Sequence, residues 1–367
     1  MYDVAIIGAG PAGATAAAFL AARERSVLLV DQATFPRPDA HTTWVNAKAA
    51  HLLETIGLSP RETLGNPFSE ITFHNADFSS SATPVVSEPL GYLLDQRVLE
   101  QHLIEAATAA GSDLHQQWPV ESISLLEECV ELLGPDGSAA RARTLLFAAG
   151  AASPLRRQLG GPFTTPRGGH WTARVASPLE KASGQAHAVR VVLGLTRAGA
   201  FGLALLQPDC VAVQVSTPRD PETVTGLLIE MCQTMSHQGI LPADLAPAAA
   251  RAEAQTCPAG VALEMDSHVA KHTLIIGDAG GFVSATSDEG IYPAMWSAQI
   301  AAEVIHEALG SRHSQDVLMQ FDSRWRMAMA EYLRAPNTDT QFLLPLIFAN
   351  QPMADRMAAA FFCGENI

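Results

Sequence analysis

"YDVAIIGAGPAGATAAAFLAARERSVLLVDQ", residues 2–32, decides the fold. Val4 to Ile7 is a short apolar run suited to a strand buried on both faces, and Gly8, Gly10 and Gly13 complete G-x-G-x-x-G at its carboxyl end. Gly10 lets backbone N–H groups approach a pyrophosphate, Gly13 lets the next helix lie close to the sheet, and that helix's amino terminus favours negative charge. Ala12, Ala14, Ala16, Ala17 and Ala18 keep the helix slim, and Ser26 to Val30 reads as a second strand ending at Asp31. Asp31 lies 23 positions after Gly8, where an acid accepts the ribose hydroxyls of an adenosine. Three glycines alone can mark any close turn; the strand, turn, helix, strand and acid together specify dinucleotide binding. The Asp31 carboxylate would repel a 2′-phosphate, which leaves FAD or NAD.

Working outward, 367 residues exceed one typical domain, and 48% hydrophobic with 17% charged residues describes a soluble globular chain of two lobes. The net charge is −15, and lysine occurs only at Lys48, Lys181 and Lys271. Nucleic acid and anionic membrane partners therefore lack an electrostatic footprint. The first strand begins at Tyr2 or Asp3, leaving no room for a secretory signal, and no apolar run reaches ~18 residues. A cytoplasmic protein without stable membrane association is the expectation. The five cysteines are widely spaced without C-x-x-C, so they read as small hydrophobes rather than bridges. The histidines show no H-E-x-x-H, and no metal is expected.

Along the chain, residues 32–47 carry two prolines and read as a loop, followed by a helix from about Ala47 to Ile56. Glu70 to Asn75 alternates as a strand, and residues 95–111 form a helix with Leu99, Leu103 and Ala106 on its apolar face. Residues 171–217 hold alternating runs such as "VRVVLGL" and "CVAVQVS", the pattern of an antiparallel sheet. Residues 272–309 then repeat strand, glycine loop and long helix. The expected fold is α/β (α+β overall): a discontinuous Rossmann-like domain of residues 1–70, 90–160 and 265–310, an inserted β-sheet substrate domain of 71–89 and 161–264, and a helical region at 311–367. Asp278 stands at the second loop's strand end, and Gly290 opens the long helix, whose dipole can serve the other end of a cofactor.

Four blocks, "GAGPAGATAA" (8–17), "DQRVLEQHLIEAATAAG" (95–111), "AAGAASPLRRQLG" (148–160) and "GDAGGFVSATSDEGIYPAM" (277–295), resemble the p-hydroxybenzoate-hydroxylase-type flavoproteins. The branch they resemble most holds geranylgeranyl reductases and flavin-dependent halogenases. The resemblance implies an extended FAD, with Gly8, Gly10, Ala12, Gly13 and Asp31 around its adenosine and phosphates and Arg97 over the pyrophosphate. It implies Asp278 at the ribityl and phosphate groups and Gly290 with Ile291 near the isoalloxazine. By alignment "HTTW" (41–44) lies against the ring, making Thr42 and Thr43 cofactor contacts and His41 and Trp44 candidate catalytic residues, one as hydrogen-bond donor or base and one as wall to an aromatic substrate. Asp288 and Glu289 are expected to cap the helix after Gly290. His74, His170 and Trp171 are candidates to line the pocket.

Departures from the resemblance bear on the reaction. Relatives that accept hydride from NAD(P)H carry Asp-Gly where this chain has Ala149-Gly150, which raises a separate flavin reductase as the electron source beside NAD(P)H. The C-G-x-G and W-x-F-P stretches of geranylgeranyl reductases are replaced, and no lysine lies between Ala49 and Glu180 to serve a halogenase. The remaining chemistry is FAD-dependent monooxygenation of an electron-rich, aromatic substrate through a flavin C4a-hydroperoxide. That substrate is a small molecule, a carrier-bound group or a protein-bound tryptophan. The alternatives are a C=C reductase or dehydrogenase of geranylgeranyl-reductase type, a halogenase, and a non-catalytic FAD-binding protein.

Overall fold

A computed structural model describes residues 1–37, 42–68, 70–160, 169–178, 187–338 and 340–367. Among the described residues the strands form an eight-stranded sheet, a seven-stranded sheet and a two-stranded ribbon. The first sheet is parallel at its centre, where Thr273–Ile275, Ala139–Phe147, Tyr2–Ile7, Val27–Val30 and Asp113–His115 lie side by side. Val269–Ala270 adds an antiparallel edge, and the Ser122–Leu125/Val130–Leu133 hairpin pairs with Ala139–Phe147. Helices cover one face: Pro11–Ala21, Gln96–Ala109 and Ile291–Gly310 pack their apolar sides against Val4, Ile6, Leu29 and Leu146. The alternating partners Ala5, Ile7, Leu28 and Phe147 enter a second cluster on the opposite face, as strands buried on both sides require.

The second sheet runs Gln255–Cys257, His170–Pro178, Cys210–Thr217, Phe201–Leu206, Ala188–Leu193, Glu70–Asn75 and Ser81–Ala82. It is antiparallel except where Ala188–Leu193 lies parallel to Glu70–Asn75, two runs distant in the chain that a hairpin cannot join. Helix Pro221–His237 covers one face with Val224, Leu228 and Met235. The other face packs on Ile347, Phe361 and Phe362 from helices Thr340–Ala349 and Gln351–Cys363.

Residues 42–46 correct the loop expected there. Thr42–Asn46 is a strand, paired antiparallel with Gly91–Asp95, and its Thr-Thr-Trp-Val run suits a pleated, half-buried surface. The helix that follows is Ala49–Thr55. On helix Gln96–Ala109 the buried side includes Leu99, Leu103 and Ala107. The five cysteines are free. Among the described residues no cluster of three metal-binding side chains occurs, and no helix is long and apolar enough to cross a membrane.

Candidate cofactor and substrate site

The carboxyl ends of the parallel strands open into a cavity of about 1260 Å³, more than the ~300–1,000 Å³ usual for one small-molecule pocket. Gly8, Gly10, Ala12, Asp31, Thr43, Asp278, Gly290 and Ile291 line it. Gly8 has φ +100°, and a Cβ there would stand 2.3 Å from the Ala148 carbonyl oxygen. Gly13 lies beneath the turn, where a Cβ would stand 1.8 Å from the Gly8 oxygen; its place is the close packing of helix on strand rather than the cavity wall. No side chain caps the Pro11–Ala21 helix. Its first-turn N–H groups, which lack intrahelical partners, remain for an anion.

Asp31 is 7% exposed and accepts from the backbone N–H of Ala9 at 2.7 Å and of Ala33 at 2.8 Å. Arg37 adds a third contact at 3.2 Å and reaches Glu100 at 3.5 Å. Glu100 is fully buried, and desolvation pushes its carboxyl up against the pull of Arg37. Gln96 donates to the same carboxylate at 2.9 Å and lines the cavity beside Arg37. Arg97 is elsewhere. Its side chain is 51% exposed and donates through Nε to Asp95 at 3.0 Å, and it is not among the cavity-lining residues. Arg37 and Gln96, which sequence reasoning missed, occupy the wall instead; the turn before residue 37 gave no periodic signal.

At the second loop, Thr273–Ile275 leads into the tight turn Gly277–Gly280. The Asp278 side chain is exposed to the cavity it lines, and desolvation by the surrounding walls pushes its carboxyl up to about 6. Arg156, itself buried, donates to the Ala279 carbonyl, and His268 contacts the Gly280 oxygen at 2.7 Å. These ties fix the turn from both sides. Glu289 caps the long helix, accepting from the Tyr292 N–H at 2.7 Å, while the Tyr332 hydroxyl donates to it at 2.6 Å. Desolvation pushes this carboxyl up to about 7.

Asp288 does not cap the helix. At φ +56° it turns toward the second sheet, where it meets His170 Nδ1 at 2.7 Å and accepts from the Ser216 hydroxyl. Burial opposes protonation of His170, but the adjacent carboxylate outweighs it and raises the imidazole above its ordinary value. Beside this pair the sheet presents Thr172, Arg174, Gln214 and Thr256 to the cavity.

The strand character of 42–46 sorts the "HTTW" residues by alternation. Thr43 faces the cavity. Thr42 and Trp44 take the opposite side: the Thr42 hydroxyl meets Gln207 and Cys210 at 3.3 and 3.5 Å. Trp44, 5% exposed, packs edge-on against Phe362 at 5.1 Å between ring centroids. Trp44 is thus a core residue, and His41 lies outside the described residues. His74 stacks near Phe78 and Trp171 packs against the apolar cluster under helix Pro221–His237, so neither is part of the cavity wall.

Residues 1–331 match the family described as FAD binding domain. The chain belongs to this FAD-binding family. It is an FAD-dependent oxidoreductase. The Dictyostelium discoideum conditioned medium factor receptor 1 is 25% identical over 94% of this chain and 71% of that protein. A geranylgeranyl bacteriochlorophyll reductase-like protein of Thermoplasma acidophilum superposes with a TM-score of 0.74 at 16% identity, over 98% of this chain and 96% of its own. PqsL of Pseudomonas aeruginosa, seen with 2-aminobenzoylacetate, gives 0.68 at 17% identity over 97% and 99%. At such identities these structures establish a shared fold. FAD fits the cavity described: an uncapped helix start, a turn at Gly8 that only glycine can make, a close helix-on-strand approach at Gly13, a buried acid at its rim, and a second glycine turn lining the same cavity.

Proposed function

We propose that the protein is an FAD-dependent monooxygenase that hydroxylates an electron-rich aromatic substrate. The observation that carries this reading is the wall opposite the glycine loops, where Thr172, Arg174, Gln214, Thr256 and Asp288 face the cavity. A prenyl-type C=C reductase needs an apolar channel for a hydrocarbon chain, and a wall of charged and hydrogen-bonding groups suits a polar aromatic substrate better. Among the described residues no lysine lines the cavity, which removes the group on which halogenases of this type depend.

Bound FAD supplies the oxygen-transfer chemistry. The protein's own residues bind, orient and exclude water. The Pro11–Ala21 helix start and the N–H groups beside Gly10 hold the pyrophosphate, Asp31 takes the ribose, and Asp278 meets the ribityl and phosphate region. The amino terminus of helix Ile291–Gly310 favours negative charge on the ring. Asp288, which lines the cavity, favours the protonated form of His170 behind it. Ala149, which lines the cavity, offers no carboxylate to a nicotinamide nucleotide, so a separate flavin reductase supplies electrons more readily than bound NAD(P)H.

The test is to reduce the purified flavoprotein anaerobically with NADPH or with dithionite, offer it a panel of prenyl alkenes, phenols, anilines and indoles, admit oxygen, and analyse products by mass. The reading expects slow reduction by NADPH, rapid reduction by dithionite, and a product heavier by one oxygen atom. Saturation of an alkene with no oxygenated product from any aromatic would sink it in favour of a reductase.

A further inference from the structure

Glu289 is a buried acid that takes no direct part in the FAD site. It is 2% exposed and does not line the cavity, although its neighbours Asp288, Gly290 and Ile291 do. Its carboxyl sits behind the start of helix Ile291–Gly310, where it accepts from the Tyr292 N–H at 2.7 Å. One helix terminus therefore faces negative charge from two sides, from Glu289 within the protein and from any anion that the cavity holds.

The groups around Glu289 are hydrogen-bond donors and a second acid. From helix Gln320–Leu333 the Tyr332 hydroxyl donates to it at 2.6 Å, and the buried Asn46 amide reaches the Tyr332 oxygen at 3.4 Å and the Phe362 carbonyl at 2.6 Å. The titratable groups facing it are Tyr292 in the turn it caps, Tyr332, and Asp278 on the second glycine turn. Burial and the adjacent carboxylate hold both tyrosines above their ordinary range, so they remain neutral donors. Asp278 approaches the same helix start, its Oδ1 standing 3.4 Å from where a Cβ on Gly290 would be. Burial above all, and Asp278 with it, raises Glu289 to about 7 against the two donors. A change of charge in the cavity is then enough to decide whether this carboxyl holds a proton.

We propose that Glu289 is a redox-linked proton site, taking up a proton when reduction of the bound flavin places negative charge on the cavity side of the helix start. Two electrons from a reduced nicotinamide or flavin donor and one solvent proton give the anionic reduced flavin; a second solvent proton forms the O–H bond on Glu289. The net charge around the helix terminus is unchanged. The inference rests on the ring lying at this end of the cavity, and it holds for oxygen transfer and hydride transfer alike.

The experiment is a dithionite titration of the full-length flavoprotein against redox dyes from pH 6 to pH 9. In a two-electron couple each proton taken up changes the equilibrium tenfold per pH unit, or ~30 mV. Above pH 7 the wild-type potential falls by ~59 mV per pH unit and that of E289Q by ~30 mV, so curves that coincide near pH 6 part with the variant higher. In the infrared difference spectrum at pH 8 a carboxylic C=O band grows on reduction, shifts in ²H₂O, and is missing from E289Q. Y332F keeps the acid but removes a donor that favours its ionised form, so the steep stretch moves to higher pH; this displacement decides the matter should E289Q fail to hold flavin. Parallel curves for wild type and E289Q, a carboxyl band that persists in E289Q, or a Y332F profile identical to the wild type overturns the proposal and assigns the titration to Asp278 or the ring. Products are assayed separately. No oxygenated product beside an intact two-proton slope sinks the oxygenase reading alone, and oxygenated product beside parallel curves sinks the proton site alone.

Discussion

Glu289 offers a pH experiment whose size follows from its surroundings. It is 2% exposed, its two oxygens meet the Tyr292 N–H and the Tyr332 hydroxyl, and burial raises it from 4.5 to about 7. At ~1.36 kcal/mol per pH unit this amounts to roughly 3 kcal/mol. The folded state holds the proton more tightly than the unfolded one, so this carboxyl's contribution to stability is complete below pH 4.5 and is lost as pH climbs through about 7. Glu289→Gln pins the position in an uncharged form, with a carbonyl for Tyr292 and an amide N–H for the Tyr332 oxygen. Tm of wild type and variant is measured at saturating FAD between pH 5 and pH 8.5. The two curves should run together near pH 5 and separate above pH 7, the variant ahead by about 5 °C at the alkaline end, allowing ~2 °C per kcal/mol for a chain of this size. A variant less stable at every pH, or a gap of equal size at pH 5 and pH 8.5, would show that Glu289 is an ordinary ionised carboxylate and refute the reasoning.

Three further outcomes follow from the same geometry. Gly13→Ala places a methyl group 1.8 Å from the Gly8 oxygen, so the helix must retreat from the strand; FAD content after purification falls by at least tenfold, and a normal content would contradict the packing. Asp31→Ala removes the acceptor for two backbone N–H groups and Arg37, weakening FAD by ~10–100-fold at ~1.5–3 kcal/mol for hydrogen bonds to a charged group, whereas Arg97→Ala changes FAD affinity less than twofold; calorimetry of the apoprotein with FAD separates them. Trp44→Ala costs ~3–5 kcal/mol of stability, read as a fall in denaturant midpoint, while the flavin spectrum of the folded protein keeps its shape, because the ring packs on Phe361 and Phe362 rather than in the cavity.

What the sequence reveals depends on how local the cause is. The demands on Gly8 and Gly13 come from atoms a few residues away or on the next strand, so the spacing of glycines, helix and acid carried the first half of the site. The second glycine loop was legible because it repeats the pattern. Residues 42–46 were not: proline at 36 and 38 suggested a loop, and the pairing that makes a strand comes from Gly91–Asp95. Missing that strand meant missing its alternation, which turns Thr43 toward the cavity and Thr42 and Trp44 away. Arg97 resembled a pyrophosphate ligand by position, but Asp95 both accepts from its backbone N–H at 2.9 Å and holds its side chain. The His170–Asp288 contact joins residues 118 positions apart and leaves no mark in local sequence.

The central claim, oxygen transfer to an aromatic substrate, is tested most directly with isotopic oxygen. The reduced flavoprotein, given the panel of phenols, anilines and indoles under ¹⁸O₂, should yield a hydroxylated product carrying one ¹⁸O atom. A product with oxygen only from water, or a substrate changed solely by addition of two hydrogens, would contradict it.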